Sequence, residues 1–438
     1  MAAANYGVWA IDIGNSSVKA LRLSFGNEGP EVTGFDDVPY AKILTSGGVT
    51  REEREELVTL ALRTFLSRNV IGKDEVVVSV PGQNSFARFV KLPPVESRKI
   101  AEIVNYEAAQ QIPFDINEVQ WDWQLMDAEA AEKKVGIFAI KSEIVSTVLE
   151  YFERENIRVS MVQMAPMALY NYLVYDRPDL TSSESNAAAV LNIGADAIDL
   201  VVCTSSSVWQ RSISIAGNAF TKAIADAFKL NFEKAEKLKR TAPMSKYARQ
   251  ILQAMKPVFT DLSSEIQRSL GFYNSSNPGV KITKIVALGG GTKMRGLLKY
   301  LQQTLQIPIE QPDSFKKVSI GPEISAAKFH DSVCDSGVVY GLAVQGLGLA
   351  RIESNLLPRS IARSMAWTKK NRFFILSAFM ILLAAALVFG RAFFDRAAYN
   401  SADRTRSRIS GILRDAGQAE DKLKQQKDKL EGYKTLIE

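Results

Sequence analysis

The stretch "FFILSAFMILLAAALVFG", Phe373 to Gly390, contains no charged residue, and it restricts what the chain can be more than any other segment. Crossing a bilayer core of ~30 Å takes ~20 helical residues. Ala392, Phe393 and Phe394 extend the apolar surface beyond the run. A core helix of this length in a soluble domain would carry a polar face, and this one has none. Residues 372–392 therefore read as one transmembrane helix. Lys369, Lys370 and Arg372 precede it, with Arg359 and Arg363 further upstream. Arg391 and Arg396 follow, separated by Asp395. The basic excess on the N-terminal side predicts that residues 1–371 are cytoplasmic and that 393–438 lie outside. The opening "MAAANYGVWAIDIG" has no basic region followed by a long apolar core, so no signal peptide is expected.

Beyond the span the chain turns polar. Ile409, Ala416, Leu423, Leu430 and Ile437 recur every seven residues, and Ile412, Ala419 and Tyr433 form the companion seam, with Gln426 as its polar exception. This is a coiled-coil pattern of about four heptads. Gly411, Gly417 and Gly432 argue for a weak or interrupted coil. The pattern stops in mid-repeat at Glu438, so a fragment of a longer chain is expected.

At 438 residues the chain suits two or three domains. The net charge of +6 is modest and much of it flanks or follows the span. With no basic stripe interleaved with aromatics, nucleic-acid binding is not expected. Cys203 and Cys334 lie far apart without metal-ligand spacing and read as buried, reduced thiols. His330 has no cysteine or carboxylate cluster beside it and reads as a helix-surface or cap residue.

Three glycine turns carry the chemistry. In "VWAIDIGNSSVKALRL" an apolar strand ends at Asp12, turns at Gly14 and continues as a second strand. Asn15, Ser16 and Ser17 let the backbone approach a phosphate and aim N–H groups at it. Asp12 can hold water on a magnesium ion, and Lys19 can neutralise a phosphate as a point charge. In "AAAVLNIGADAIDLVVC" the same design returns with Asn192, Gly194 and Ala195. The third turn, "KIVALGGGTKMRGLLKYL", places Gly289, Gly290 and Gly291 between a buried strand and a helix expected to start near Met294. Such a turn can seat an adenosine or a phosphate against a helix N-terminus.

Together the turns resemble the two phosphate loops and the adenosine loop of the actin-like ATPase superfamily. That resemblance implies ATP and magnesium as ligands and an α/β fold of two duplicated RNase H-like halves. "FEKAEKLKR" adds Glu236, Lys239 and Arg240, similar to the adenosine-holding helix of the heat-shock chaperone members. Positions i and i+3 share a helix face, so Glu236 and Lys239 can meet one nucleoside.

The branch is set by Val76 to Trp123, "VVVSVPGQNSFARFVKLPPVESRKIAEIVNYEAAQQIPFDINEVQWDW". With Ser212–Arg240 and "GVVYGLAVQGLGL" it resembles the PilM family of type IV pilus assembly proteins over nearly all of residues 5–350. The resemblance implies an FtsA-like insert subdomain at about 81–165 and a second half at about 187–325. In "IESNLLPRSIAR", Asn355, Leu356, Leu357 and Pro358 resemble the short peptide that begins the partner family PilN and docks in a groove of PilM. Ser354 stands where that peptide carries isoleucine, and Ile352 lies two residues earlier. Residues 351–371 thus look like a docking peptide and basic juxtamembrane segment of a PilN start fused to its receptor. The resemblance further implies a PilO-like partner for the outer helix, pilus motor and platform proteins, and docking of the peptide within one chain or between copies.

Two departures bear on turnover. Asn192 stands where the second loop usually has an acid, and Ile198 where it has a hydroxyl. Asn192 can hydrogen-bond a metal-bound water but supplies no charge. Nucleotide binding with little or no hydrolysis is therefore expected, which favours a scaffold over an ATPase. No carboxylate base facing an acceptor marks a kinase. GspL-like type II secretion scaffolds share the order of actin-like domain and span, and they form the alternative assignment.

Overall fold

The computed structural model describes residues 6–93, 96–126, 133–242 and 246–434. They divide into two units, Met1–Pro358 and Arg359–Glu438.

The first unit is built on a repeated sheet. β1 (Val8–Ile13), β2 (Ser17–Phe25) and β3 (Pro30–Pro39) form an antiparallel meander, and β4 (Glu75–Val80) lies parallel to β1 on its other side. The central strands are apolar on both faces because helices cover both. β5 (Ser85–Lys91), β6 (Val119–Leu125) and β7 (Lys134–Lys141) make a separate three-stranded sheet, with a core that includes Val104 and Ala108 of the helix Ile100–Gln111. β8 (Met161–Met164) then returns to the first sheet beside β4. The last strand of the inserted sheet ends at Lys141.

The second half repeats the first. β9 (Asn186–Ile193), β10 (Ile198–Cys203) and β11 (Val208–Ile213) are an antiparallel meander, and β12 (Lys281–Leu288) and β13 (Ile309–Glu310) follow in parallel. The order β11-β10-β9-β12-β13 reproduces β3-β2-β1-β4-β8 strand for strand. β14 (Ser319–Ile320) pairs with β3, so the chain has returned to the first sheet before residue 325. Cys203 and Cys334 are free and buried.

The helix Gly337–Gly346 packs between elements of both halves. A Cβ on Gly337 would meet Leu288 and Leu169, one on Gly341 would strike the Ala168 carbonyl, and one on Gly346 would meet Val8 and Val77. At Gly341 the helix lies backbone against backbone on the helix Ala165–Asp176, while Gly337 and Gly346 make room for side chains.

The second unit is one helix, Arg359–Lys434. The residues from Arg359 onward and the apolar run lie on this one helix. Gly411 and Gly417 do not interrupt it, although each costs about 1 kcal/mol relative to alanine. Its apolar run is long and apolar enough to cross a membrane and is exposed within this unit. Ile409, Ile412, Leu423 and Leu430 are exposed along the tail. Ile437 lies outside the described residues, as do the side chains of Lys369, Arg372 and Tyr433.

Candidate functional site

Each half carries a hairpin turn of the same construction. The Gly14 N–H donates to the Ser17 carbonyl at 3.1 Å, and the Gly194 N–H donates to the Ala197 carbonyl at 3.0 Å. A Cβ at Gly194 would stand 2.7 Å from the Ala197 oxygen, so only glycine closes this turn. Among the described residues, the N–H groups of Asn15, Ser16, Ala195 and Asp196 have no acceptor. Two short tight turns thus present free N–H groups, as an anion requires.

The two turns face one cleft of about 1500 Å³. Asp12, Gly14, Asn15, Ser16, Ser17 and Lys19 line it from the first half, and Asn192, Gly194 and Ala195 from the second. Glu236, Lys239, Arg240, Gly289, Gly290, Gly291 and Met294 complete the lining. All sixteen positions singled out in the sequence are brought together. Asn218 and Asp335 also line the cleft, and each has one side-chain oxygen that is buried without a partner among the described residues. The free N–H groups and the glycine approaches suit phosphate oxygens, whereas the orphan oxygens of Asn218 and Asp335 are acceptors and suit the hydroxyl or amino donors of a nucleoside.

Two local expectations change. The third turn does not pass straight into a helix near Met294. Gly290–Lys293 forms a short 3₁₀ turn, Gly296 takes φ +86°, and the helix starts at Leu297. Glu236 and Lys239 share a face, as expected, but they bond first to each other at 2.6 Å. The Lys239 ammonium also donates to the Gly217 carbonyl and Thr221, while Arg240 donates to Glu236 at 2.8 Å. Burial pushes the Glu236 carboxyl up, but Lys239, Thr221 and Arg240 outweigh it and hold it below the usual range.

Sequence reading missed Asp199. It sits opposite Asn192 across the β9–β10 pair, as Lys19 sits opposite Asp12 across β1–β2. The Asn192 amide donates to it at 3.4 Å. A carboxylate is therefore present beside the position that lost one. The signal was available, since the i and i+7 residues flanking a tight turn face each other across the hairpin. Burial, opposed by the Asn192 hydrogen bond and assisted by the Asp12 charge, raises the Asp199 carboxyl from 3.8 to about 6. The unfolded carboxyl ionises at its ordinary value, so the fold gains most from this group below pH 3.8 and loses that gain as pH rises through about 6. Asp199→Asn is expected to stabilise the protein at neutral pH by about 3 kcal/mol. In denaturant titrations that advantage should vanish toward pH 4, and a pH-independent difference would contradict the ionisation.

A second constellation surrounds residues 351–358. Ile352, Ser354, Leu356 and Leu357 are all 5% exposed or less. The segment runs along the free edge of β8. The Leu356 N–H donates to the Val162 carbonyl at 2.9 Å, and the Val162 N–H donates to the Asn355 side-chain oxygen at 3.0 Å. The Asn355 side chain thus stands in for a strand carbonyl, and it also accepts from the Leu357 N–H. Asp122 of β6 accepts from the Asn355 N–H at 2.7 Å. Gln124 brackets the Glu353 N–H and the Arg351 carbonyl, and Asn171 brackets the N–H and carbonyl of Ile352. Pro358 is half-buried at the end of the segment. These clamping amides were not anticipated. Their only trace in the sequence is polar residues inside buried apolar runs, such as Asn171 in "MALYNYLV" and Gln345 in "GLAVQGLG".

The family model for type IV pilus assembly protein PilM matches residues 10–347. Among solved structures, a PilM-PilN type IV pilus biogenesis complex is similar at 26% identity and a TM-score of 0.63, covering 78% of this chain and 98% of that one. The ethanolamine utilization protein EutJ from Carboxydothermus hydrogenoformans aligns at 13% identity and a TM-score of 0.40, over 76% of this chain and 88% of that one. The cytoplasmic domain of EpsL, from the type II secretion system of Vibrio cholerae, aligns at 12% identity and a TM-score of 0.38, over 81% and 99%. No curated protein sequence matches. The architecture of two like halves is the actin-like α/β fold expected from the turns. With the family model spanning most of its length, the chain belongs to the family of type IV pilus assembly protein PilM.

Proposed function

We propose that the chain is a nucleotide-binding scaffold of type IV pilus assembly, held in the cytoplasmic membrane by residues 372–392 with its actin-like unit on the cytoplasmic side. ATP binds between the halves. The N–H groups of Asn15, Ser16, Ala195 and Asp196 hold phosphate oxygens, Lys19 adds a point charge, and Asp12 orients water on magnesium. Glu236, Lys239, Arg240, Met294 and the Gly289–Gly291 turn hold the nucleoside end. Magnesium, when bound, neutralises phosphate charge. Binding shifts the halves toward the closed, partner-competent population. Asn355–Pro358 acts as the docking peptide of a PilN-like module, seated in its own chain's groove. The outer helix takes a PilO-like partner, and motor or platform proteins meet the cytoplasmic unit.

The observation that carries this reading is the convergence of all the expected loop residues on one cleft. Asp12→Ala tests it. Its partner Ser79, which donates to the Asp12 carboxylate, is left without an acceptor. Magnesium-ATP affinity of the full chain in detergent, measured by calorimetry, is expected to fall about a hundredfold, as for loss of a charge-assisted contact worth roughly 3 kcal/mol. Unchanged affinity would remove the nucleotide from the proposal.

Asp199 supports a second reading, a slow ATPase, because it restores an acid next to Asn192. Phosphate release that disappears in both Asp12→Ala and Asp199→Asn would make the protein an enzyme. Release at background in the wild type would leave it a scaffold.

A further inference from the structure

Ser354 occupies a seat unlike the rest of the groove. Its hydroxyl meets the buried Gln163 amide of β8, and its carbonyl meets both Gln163 and Gln345 of the helix Gly337–Gly346; the two glutamines are 0% and 2% exposed. The Gln163 amide donates to the Ser354 carbonyl at 3.0 Å and to the Ser354 hydroxyl at 3.2 Å. It also donates to the Gln345 oxygen at 3.0 Å, and Gln345 donates to the Ser354 carbonyl at 2.9 Å. Gln163 itself is held by the Met164 N–H. The seat is therefore small, polar and fixed on both sides. By contrast, Ile352, Leu356 and Leu357 bury aliphatic side chains on either side of it.

We infer that position 354 determines which peptide this groove accepts. It admits a small residue and rejects a branched aliphatic one. The amide hydrogens of Gln163 retain two acceptors, the Gln345 oxygen and the Ser354 carbonyl, when the hydroxyl is removed, so alanine is tolerated. Isoleucine adds carbons at a buried side chain that abuts the Gln163 amide, and either Gln163 moves off its partners or the peptide backbone lifts. The groove is thereby matched to the chain's own segment and insulated from an otherwise equivalent peptide with isoleucine at that place. Rejection of the wrong peptide by buried polar walls is a general route to specificity.

The inference rests on the docking reading above, and the test separates the two. In the full chain, hydrogen exchange at the Asn355 and Leu356 amides reports release of the segment. Ser354→Ala should leave exchange within about threefold of wild type, and Ser354→Ile should accelerate it at least about tenfold. Gln345→Ala opens the seat, so in that background the penalty for isoleucine should shrink to a few-fold. A second measurement uses the full chain with Leu356→Ala and Leu357→Ala, whose own segment is weakened, and fluorescent ARIESNLLPRS added in trans. That peptide should bind at least about tenfold tighter than its counterpart with isoleucine for serine. Equal exchange for the alanine and isoleucine variants, or equal binding of the two peptides, overturns the inference alone. Fast exchange in the wild type together with no binding by either peptide overturns the docking reading and the inference with it.

Discussion

Replacing Leu356 and Leu357 together by alanine is expected to release residues 351–358 from the groove while leaving the actin-like unit folded. Both leucines are buried, at 1% and 5% exposure. Removing a buried leucine side chain to alanine costs about 2–5 kcal/mol each. The segment holds few other apolar anchors besides Ile352, so the loss exceeds what its backbone clamps can offset. Those clamps remain, but an exposed strand edge and free amides are readily solvated. The opening is local because the segment lies along the edge of β8 and none of the three sheets needs it for its own strand pairing. Hydrogen exchange at the Leu356 amide, bonded to the Val162 carbonyl, should rise about a hundredfold or more. Trypsin should cut after Arg351 in minutes rather than hours. Asn355→Ala should give a smaller rise, since it removes the side-chain stand-in for a strand carbonyl but no buried aliphatic group. Exchange unchanged from wild type in the double variant would mean that the leucines do not anchor the segment.

The largest loss of stability is expected from Gly341→Val. A Cβ at this position would fall against the Ala168 carbonyl of the neighbouring helix, an approach no rotamer can relieve. Valine adds two further methyl groups to that clash. The helix Gly337–Gly346 must back away from the helix Ala165–Asp176, which also draws Gly346 from Val8 and Val77. Overpacking of this kind costs about 3 kcal/mol, and here backbone must move as well. A fall in melting temperature of roughly 5 °C or more follows for a domain of this size. Gln345 lies on the same helix and holds the Ser354 carbonyl, so exchange at Asn355 should rise with the loss of stability. Gly271→Ala is the control. Its Cβ would meet nothing within 4 Å, in the middle of the helix Ala248–Ser276, and it should be neutral or stabilising by up to about 1 kcal/mol. A melting temperature for Gly341→Val equal to that of the control would show that the two helices are not in close contact.

These predictions depend differently on sequence and structure. The hairpin turns at Gly14 and Gly194 were legible because the requirement is local. Four consecutive residues decide whether a strand can reverse, and a small side chain at the corner leaves N–H groups free. The span was legible for a similar reason, since length and lack of charge alone meet the bilayer's demand. Residues Asn355 to Pro358 stood out only through their resemblance to a known family's peptide.

Partners between distant segments were not legible. The start of the helix after the third turn was misplaced by a few residues, because the positive φ of Gly296 delays it. Asp199 lay within reach of a register argument, but its burial did not, because Gly82 from the other half of the fold closes over its carboxylate.

The apolar run and the glycine turns were thus settled by neighbouring residues, whose chemistry acts over a few bonds. The groove was settled only by the tertiary structure. Gln124, Gln163, Asn171 and Gln345 are separated by up to 221 residues (345 − 124). They meet only because β6, β8 and two helices converge on one edge. A buried amide signals in the sequence that it needs a partner, but packing alone decides that the partner is the backbone of residues 351–354.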